Sequence, residues 1–165
     1  MEQKMAVISD IHGNIVALEK VVSDIMDRGI DVVINLGDHV SGPLWPKETI
    51  DFLKKQNWIQ IMGNHERQLL SQNKEELGPS DLYAYERLEQ DDLEWLRSLP
   101  KTLEPYDEMM LFHGGPKNDK LYLLETLEQG RARLATHNEI IKRLDGMNSS
   151  IMLTSSAQPI NNGTR

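Results

Sequence analysis

Asp10 and His12 stand two residues apart at the end of an apolar run, Met5 to Ile8, that reads as a buried strand. Side chains alternate along an extended chain, so the two are expected to face the same way. A carboxylate and a ring nitrogen side by side make half of a metal site. The pattern then repeats. Gly37-Asp38, Gly63-Asn64-His65-Glu66 and His113-Gly114-Gly115-Pro116 each close a further apolar run. Every one of these ends offers an oxygen or imidazole donor beside a glycine, the residue that lets a backbone turn sharply or approach closely. A mixed set of carboxylate, amide and imidazole suits Mn, Fe, Zn, Ni or Co better than calcium, which prefers an all-oxygen shell.

Each piece alone has an ordinary structural use: Asp10 as a helix cap, His113 as a satisfied core histidine, Gly37-Asp38 as a turn. Their common position is what gives them weight. Strands are predicted over Met5–Ile8, Ile30–Leu36, Trp58–Met62 and Glu108–Phe112, with a short one over Ile151–Leu153. Helices are predicted over Ile15–Arg28, with Asn14 as cap and Gly29 as stop, and over Lys47–Gln56. Further helices are expected over Glu66–Lys74, Ser80–Leu99, Leu121–Leu127 and Arg131–Leu144. The first half thus alternates strand and helix, which points to parallel strands joined by right-handed crossovers. In such sheets functional groups collect beyond the carboxyl ends of the strands, where Asp10, Asp38 and Asn64-His65 all stand.

Composition narrows the function classes. The 165 residues suffice for one domain and a full core, and no repeat or linker divides them, so a single domain over 1–165 is expected. Net charge is −8, with no basic stripe of the kind that tracks a nucleic-acid backbone, so stable nucleic-acid binding is not expected. Bound cations would reverse the local potential and admit a phosphorylated substrate. Absence of cysteine removes disulfides, zinc–thiolate sites and cysteine nucleophiles. With no apolar leader and no membrane-length run, a cytoplasmic protein off the membrane is expected. His39 is read as lining the pocket or, equally, as an ordinary loop histidine, and the acidic stretch Glu86–Glu94 as an exposed helix face.

Asp10-Ile11-His12-Gly13-Asn14, Gly37-Asp38, Gly63-Asn64-His65-Glu66 and His113 together resemble the calcineurin-like metallophosphoesterases. Gly42-Pro43 and Leu96-Arg97-Ser98-Leu99-Pro100 look like the small prokaryotic phosphodiesterase-type branch; the protein phosphatases proper carry Asp-Arg-Gly where this chain has Ser41-Gly42-Pro43. The resemblance implies an α/β fold of the α/β/β/α sandwich type and two divalent metal ions. Asp10 and His12 would bind the first, Asp38 would bridge both, and Asn64 and His113 would bind the second. A bridging hydroxide would attack phosphorus, and His65 would protonate the leaving group as general acid. The implied reaction is hydrolysis of phosphodiesters or small phosphomonoesters. Glu66 would orient a neighbouring imidazole.

The chain departs from the pattern in one region. The family carries Gly-His-Thr-His or a near variant after the fifth strand; here Ser155 and Ala157 stand where the histidines are expected. The family domain also continues through further strands, so the second sheet is expected to be incomplete, with its apolar face either left exposed or covered by a partner chain, such as a second copy in a homo-oligomer, or by a local rearrangement. The alternative implied by these departures is a weak or inactive member of the family that acts as a binding or scaffold protein. Haloacid-dehalogenase, P-loop and dinucleotide-binding alternatives fit less well, because His12 replaces the second aspartate, no glycine-rich loop ends in Lys-Ser or Lys-Thr, and only Gly13 follows the first strand.

Overall fold

The computed structural model describes residues 4–144, 146–147 and 151–155. The chain divides into two compact units, residues 1–101 and 102–165.

In the first unit, β1 (Met5–Ile8), β2 (Val32–Asn35) and β3 (Ile59–Gln60) pair in parallel in that order, with Met5 opposite Val32 and Ile34 opposite Ile59. The crossovers are α1 (Ile15–Asp27) and α2 (Pro46–Leu53). The side chain of Asn14 accepts the Ala17 N–H and so satisfies one of the free donors at the start of α1. Helix α1 turns Leu18 and Ile25 inward. Pro46, whose ring fixes φ near the helical value, opens α2, which buries Ile50 and Leu53.

Helix α3 (Asn64–Ser71), a 3-10 turn over Lys74–Glu76, α4 (Pro79–Tyr85) and α5 (Gln90–Ser98) follow. Helix α3 packs on both α4 and α5. Val40, Ile50, Leu69, Ala84 and Leu96 form the core there, each at most 2% exposed. Burying a side chain as large as Leu or Ile contributes about 1.5–3 kcal/mol, so this cluster holds α2, α3, α4 and α5 together.

The single helix expected over Ser80–Leu99 is two. A capping box divides it: the Glu89 N–H donates to Asp92 Oδ2 at 3.0 Å and restarts the helix at Gln90. Glu86, Glu89, Asp91 and Glu94 are exposed, as read from the sequence, and Asp92 is the exception. Asp92 is fully buried and lies 3.0 Å from both Lys47 Nζ and Lys54 Nζ, tying α5 to α2.

In the second unit, β5 (Met109–Phe112) pairs antiparallel with β4 (Thr102–Tyr106) and parallel with β8 (Ile151–Thr154). The segments read as helical over Leu121–Leu127 and the start of Arg131–Leu144 are instead a hairpin, β6 (Glu125–Glu128) and β7 (Arg131–Leu134), followed by α6 (His137–Leu144). Gln129 and Gly130 have φ of +50° and +76°. Two consecutive left-handed residues make the two-residue turn whose twist matches paired strands. Arg143 then binds α6 to the chain before the hairpin, donating Nη1–H to the carbonyls of Tyr122, Leu123 and Glu125 at 2.9–3.0 Å. Phe112, Leu123 and Leu144 form this unit's core. No helix among the described residues is long and apolar enough to cross a membrane.

Candidate metal centre

In the first unit the chain leaves β1 and β2 through left-handed turns, not as a pleated strand end. Strand β1 stops at Ile8, and the chain then enters the left-handed region at Asp10 (φ +55°) and His12 (φ +49°). After β2, Asp38 does the same (φ +56°). A side chain with a Cβ is strained there by about 1–2 kcal/mol, and such strain collects where the surroundings over-determine a functional geometry. What holds it is a ladder that continues past the sheet. The N–H of Asp10 donates to Gly37 O, that of His12 to Asp38 O and that of Gly13 to His39 O, at 2.9–3.0 Å. Asp10 and His12 therefore meet through a turn: His12 Nε2 lies 3.8 Å from Asp10 Oδ1 and 3.9 Å from Asp38 Oδ2.

Gly63 is required by closeness. A Cβ on it would run into the Asp38 carboxylate and backbone nitrogen. Asp38 is 3% exposed, and its Oδ1 accepts the His65 N–H at 3.0 Å, from the first turn of α3. Helix N-termini favour negative charge, so this carboxylate is both buried and compensated.

Glu66 is fully buried and joins the loops after β2 and β3. Its Oε2 accepts the N–H of Asp38 at 2.9 Å and of Gly63 at 3.0 Å, and its Oε1 accepts the N–H of His39 at 2.8 Å. Burial alone would raise its pKa. The adjacent His39 and the backbone donors outweigh that and hold the carboxyl well below the usual range. His39, read from the sequence as a pocket-lining or ordinary loop histidine, is wholly buried and packs edge-on against Trp95. Its Nδ1 stands 3.2 Å from Glu66 Oε2 but out of line for a hydrogen bond.

His65 shows its Nδ1 to Asp81 Oδ1 at 2.8 Å. That hydrogen bond, ahead of the opposing effect of burial, raises the His65 pKa above its ordinary 6.5. Asp81 is 3% exposed. Burial pushes its pKa up, but hydrogen bonds from His65, Ser41 and Gln68 bring it below the ordinary value. Ser41 Oγ donates to Asp81 Oδ1 at 2.5 Å, Gln68 Nε2 donates to Oδ2 at 3.1 Å, and the Ser41 carbonyl accepts from His12 Nδ1 at 2.7 Å. Both histidines thus have Nδ1 bound to a group that can only accept, which leaves Nε2 of each for chemistry.

Asp10, His12, Asp38 and His65 are brought together in the first unit, and Asn64 is the first residue of α3. His113 belongs to the second unit, 5% exposed just past β5, with Nδ1 2.9 Å from Ser155 Oγ. Ser155, at an expected histidine position, thus fixes the orientation of an imidazole; Ala157 lies outside the described residues. The sequence reading missed Asp81, Ser41 and Gln68. Gly78-Pro79 ahead of an acid signals a helix start, but nothing in the spacing links Asp81 to His65.

Compared with known proteins, the chain matches the family model described as calcineurin-like phosphoesterase over residues 3–151. An uncharacterized protein of Methanocaldococcus jannaschii is 30% identical over 132 residues, covering 74% of this chain and 54% of that protein. A metallophosphoesterase from Sphaerobacter thermophilus is 30% identical with a TM-score of 0.58, over 70% of this chain and 48% of that one. A hypothetical protein from Pyrococcus horikoshii OT3 superposes with a TM-score of 0.68 at 20% identity, over 92% of this chain and 68% of that one, a likeness of fold. The chain spans about half the length of the first two relatives.

Proposed function

The chain belongs to the calcineurin-like phosphoesterase family, and we propose that it hydrolyses phosphodiesters or small phosphomonoesters at the rim formed by the ends of β1, β2 and β3. Asp10, His12, Asp38 and Asn64 hold divalent cations there, drawn from Mn, Fe, Zn, Ni and Co; His113 joins them on the strength of its place in the motif. The donor set fits such ions. Asp38 is a buried carboxylate and His12 presents Nε2, with its other ring nitrogen bound to a carbonyl in the manner of metal-binding imidazoles. Two cations so held supply Lewis acidity and an activated water at neutral pH.

The protein's own groups do the rest. Glu66 ties the loop that carries Asp38 to Gly63, the residue before Asn64. His65 holds a proton on Nε2 and delivers it to the departing oxygen, while Asp81 accepts from Nδ1 and keeps the ring turned. The observation that carries this reading is the convergence of Asp10, His12, Asp38 and His65 on a strained but tightly bonded rim.

The test is turnover of bis(4-nitrophenyl) phosphate by chelator-stripped protein resupplied with Mn2+, against Asp38→Asn. Metal-dependent turnover lost in the variant is the expected result. Equal rates in the two proteins would end the enzyme reading and favour a scaffold, the alternative for which serine in place of histidine at residue 155 speaks.

A further inference from the structure

His12 and His65 are prepared alike. Each ring gives Nδ1 to an acceptor, the Ser41 carbonyl at 2.7 Å and the Asp81 carboxylate at 2.8 Å, so each neutral ring carries its lone pair on Nε2. Imidazoles that bind metals are held in this way, with the far N–H on a carbonyl or carboxylate. The rings meet edge to face with centroids 5.2 Å apart. Asp38 lies beside them, and one donor atom from each of His12, Asp38 and His65 fits within 4.8 Å of the other two. Ligands bound at the usual ~2.0–2.1 Å stand roughly 3–3.5 Å from one another, so the site must close by about an ångström. The His12 and His65 side chains are 39% and 30% exposed, which leaves the rings room to make that movement. All three residues belong to the first unit.

We propose that His12 and Asp38, shared with the centre above, also form with His65 as third ligand a single-cation site that competes with it. Two imidazoles and one carboxylate select nitrogen-seeking ions such as Zn2+, Co2+ or Ni2+ over Mg2+ and Ca2+. A cation seated there occupies the Nε2 from which His65 would protonate a leaving group. The protein is then loaded but unproductive, and an excess of such an ion acts as an inhibitor. The consequence for turnover rests on the acid role of His65; the site itself does not.

The assignment is tested on the full chain, stripped with chelator and titrated with Co2+, following the visible absorption of the bound ion. His65→Ala is expected to weaken Co2+ binding at least ~10-fold, while His137→Ala, at an exposed position on α6, leaves it unchanged. A direct measurement on the unmodified protein accompanies it: Zn2+ up to one equivalent, with imidazole nitrogen resonances of the five histidines followed by NMR. Nε2 of His12 and His65 are expected to shift and that of the exposed His137 to stay. Weakening by His113→Ala with His65→Ala unaffected, or a Zn2+ shift at His113 in place of His65, would overturn the proposal and leave the function above standing. Failure of the unmodified protein to bind Co2+ or Zn2+ at millimolar concentration would overturn both.

Discussion

Asp81 Oδ1 accepts a hydrogen bond from His65 Nδ1 at 2.8 Å, so a carboxylate on α4 decides which nitrogen of an imidazole on α3 is left exposed for chemistry. If that nitrogen protonates a departing oxygen, the contribution must scale with how badly the oxygen needs the proton. Asp81→Asn is expected to slow hydrolysis of a phenyl or alkyl ester by about 10–100-fold, and of a nitrophenyl ester by less than ~10-fold. Steady-state rates on the two ester classes check this; equal losses would assign Asp81 a purely structural role.

The same pair sets a pH dependence of stability in chelator-treated protein. The folded pKa of His65 is raised, so its contribution is complete below 6.5 and is lost as pH rises through the higher folded value. The folded pKa of Asp81 is lowered, so its contribution is present above 3.8 and is lost as pH falls through the lower value. The pair therefore stabilises most between pH 3.8 and 6.5. Melting temperature measured from pH 6 to 9 is expected to fall in the parent and to fall less in Asp81→Asn.

Asp38→Asn keeps the shape of the side chain and removes its charge. Metal affinity is expected to drop at least ~100-fold, and turnover with it, as read by isothermal titration with Mn2+ and by the phosphodiester assay. An Asp38→Asn protein that loads metal normally would remove Asp38 from the ligand set.

Glu66→Gln tests the buried clamp. One amide oxygen cannot replace two carboxylate oxygens that accept three N–H groups, and the amide nitrogen would face donors. The expected cost is about 3 kcal/mol in urea denaturation. A change below 1 kcal/mol would show that the loops hold their form without it.

Two glycines separate crowding from strain. Gly63→Ala drives a methyl group into Asp38 and is expected to weaken Mn2+ binding at least ~10-fold. Gly29→Ala, at φ +63° with open space around it, is expected to cost about 1 kcal/mol in stability with metal binding unchanged.

What could be read before the structure was known follows from how local its causes are. Strands β1 and β2, with the donors past their ends, are legible because each apolar run halts at an acid beside a glycine or a turn. The partnership of Asp81 with His65 is not, because it arises only when α4 packs against α3. Asp92 misleads for the same reason: the lysines that pair with it come from α2 and the residue that caps it. At Glu125–Leu134 the helical reading passes over a hairpin that Gln129-Gly130 decides through two left-handed residues. The meeting of Asp10 and His12 is foreseen for the wrong reason, since a turn and not pleat alternation produces it.

The left-handed conformations of Asp10, His12 and Asp38 set durability against chemistry along this polypeptide. Glycine in place of the exposed Asp10 would relax the main chain and yield a sturdier molecule with a blank where a donor had been. Screening random variants for heat resistance alone would accordingly erode this rim before the hydrophobic interior, and a copy relieved of its task would carry that record first at this position.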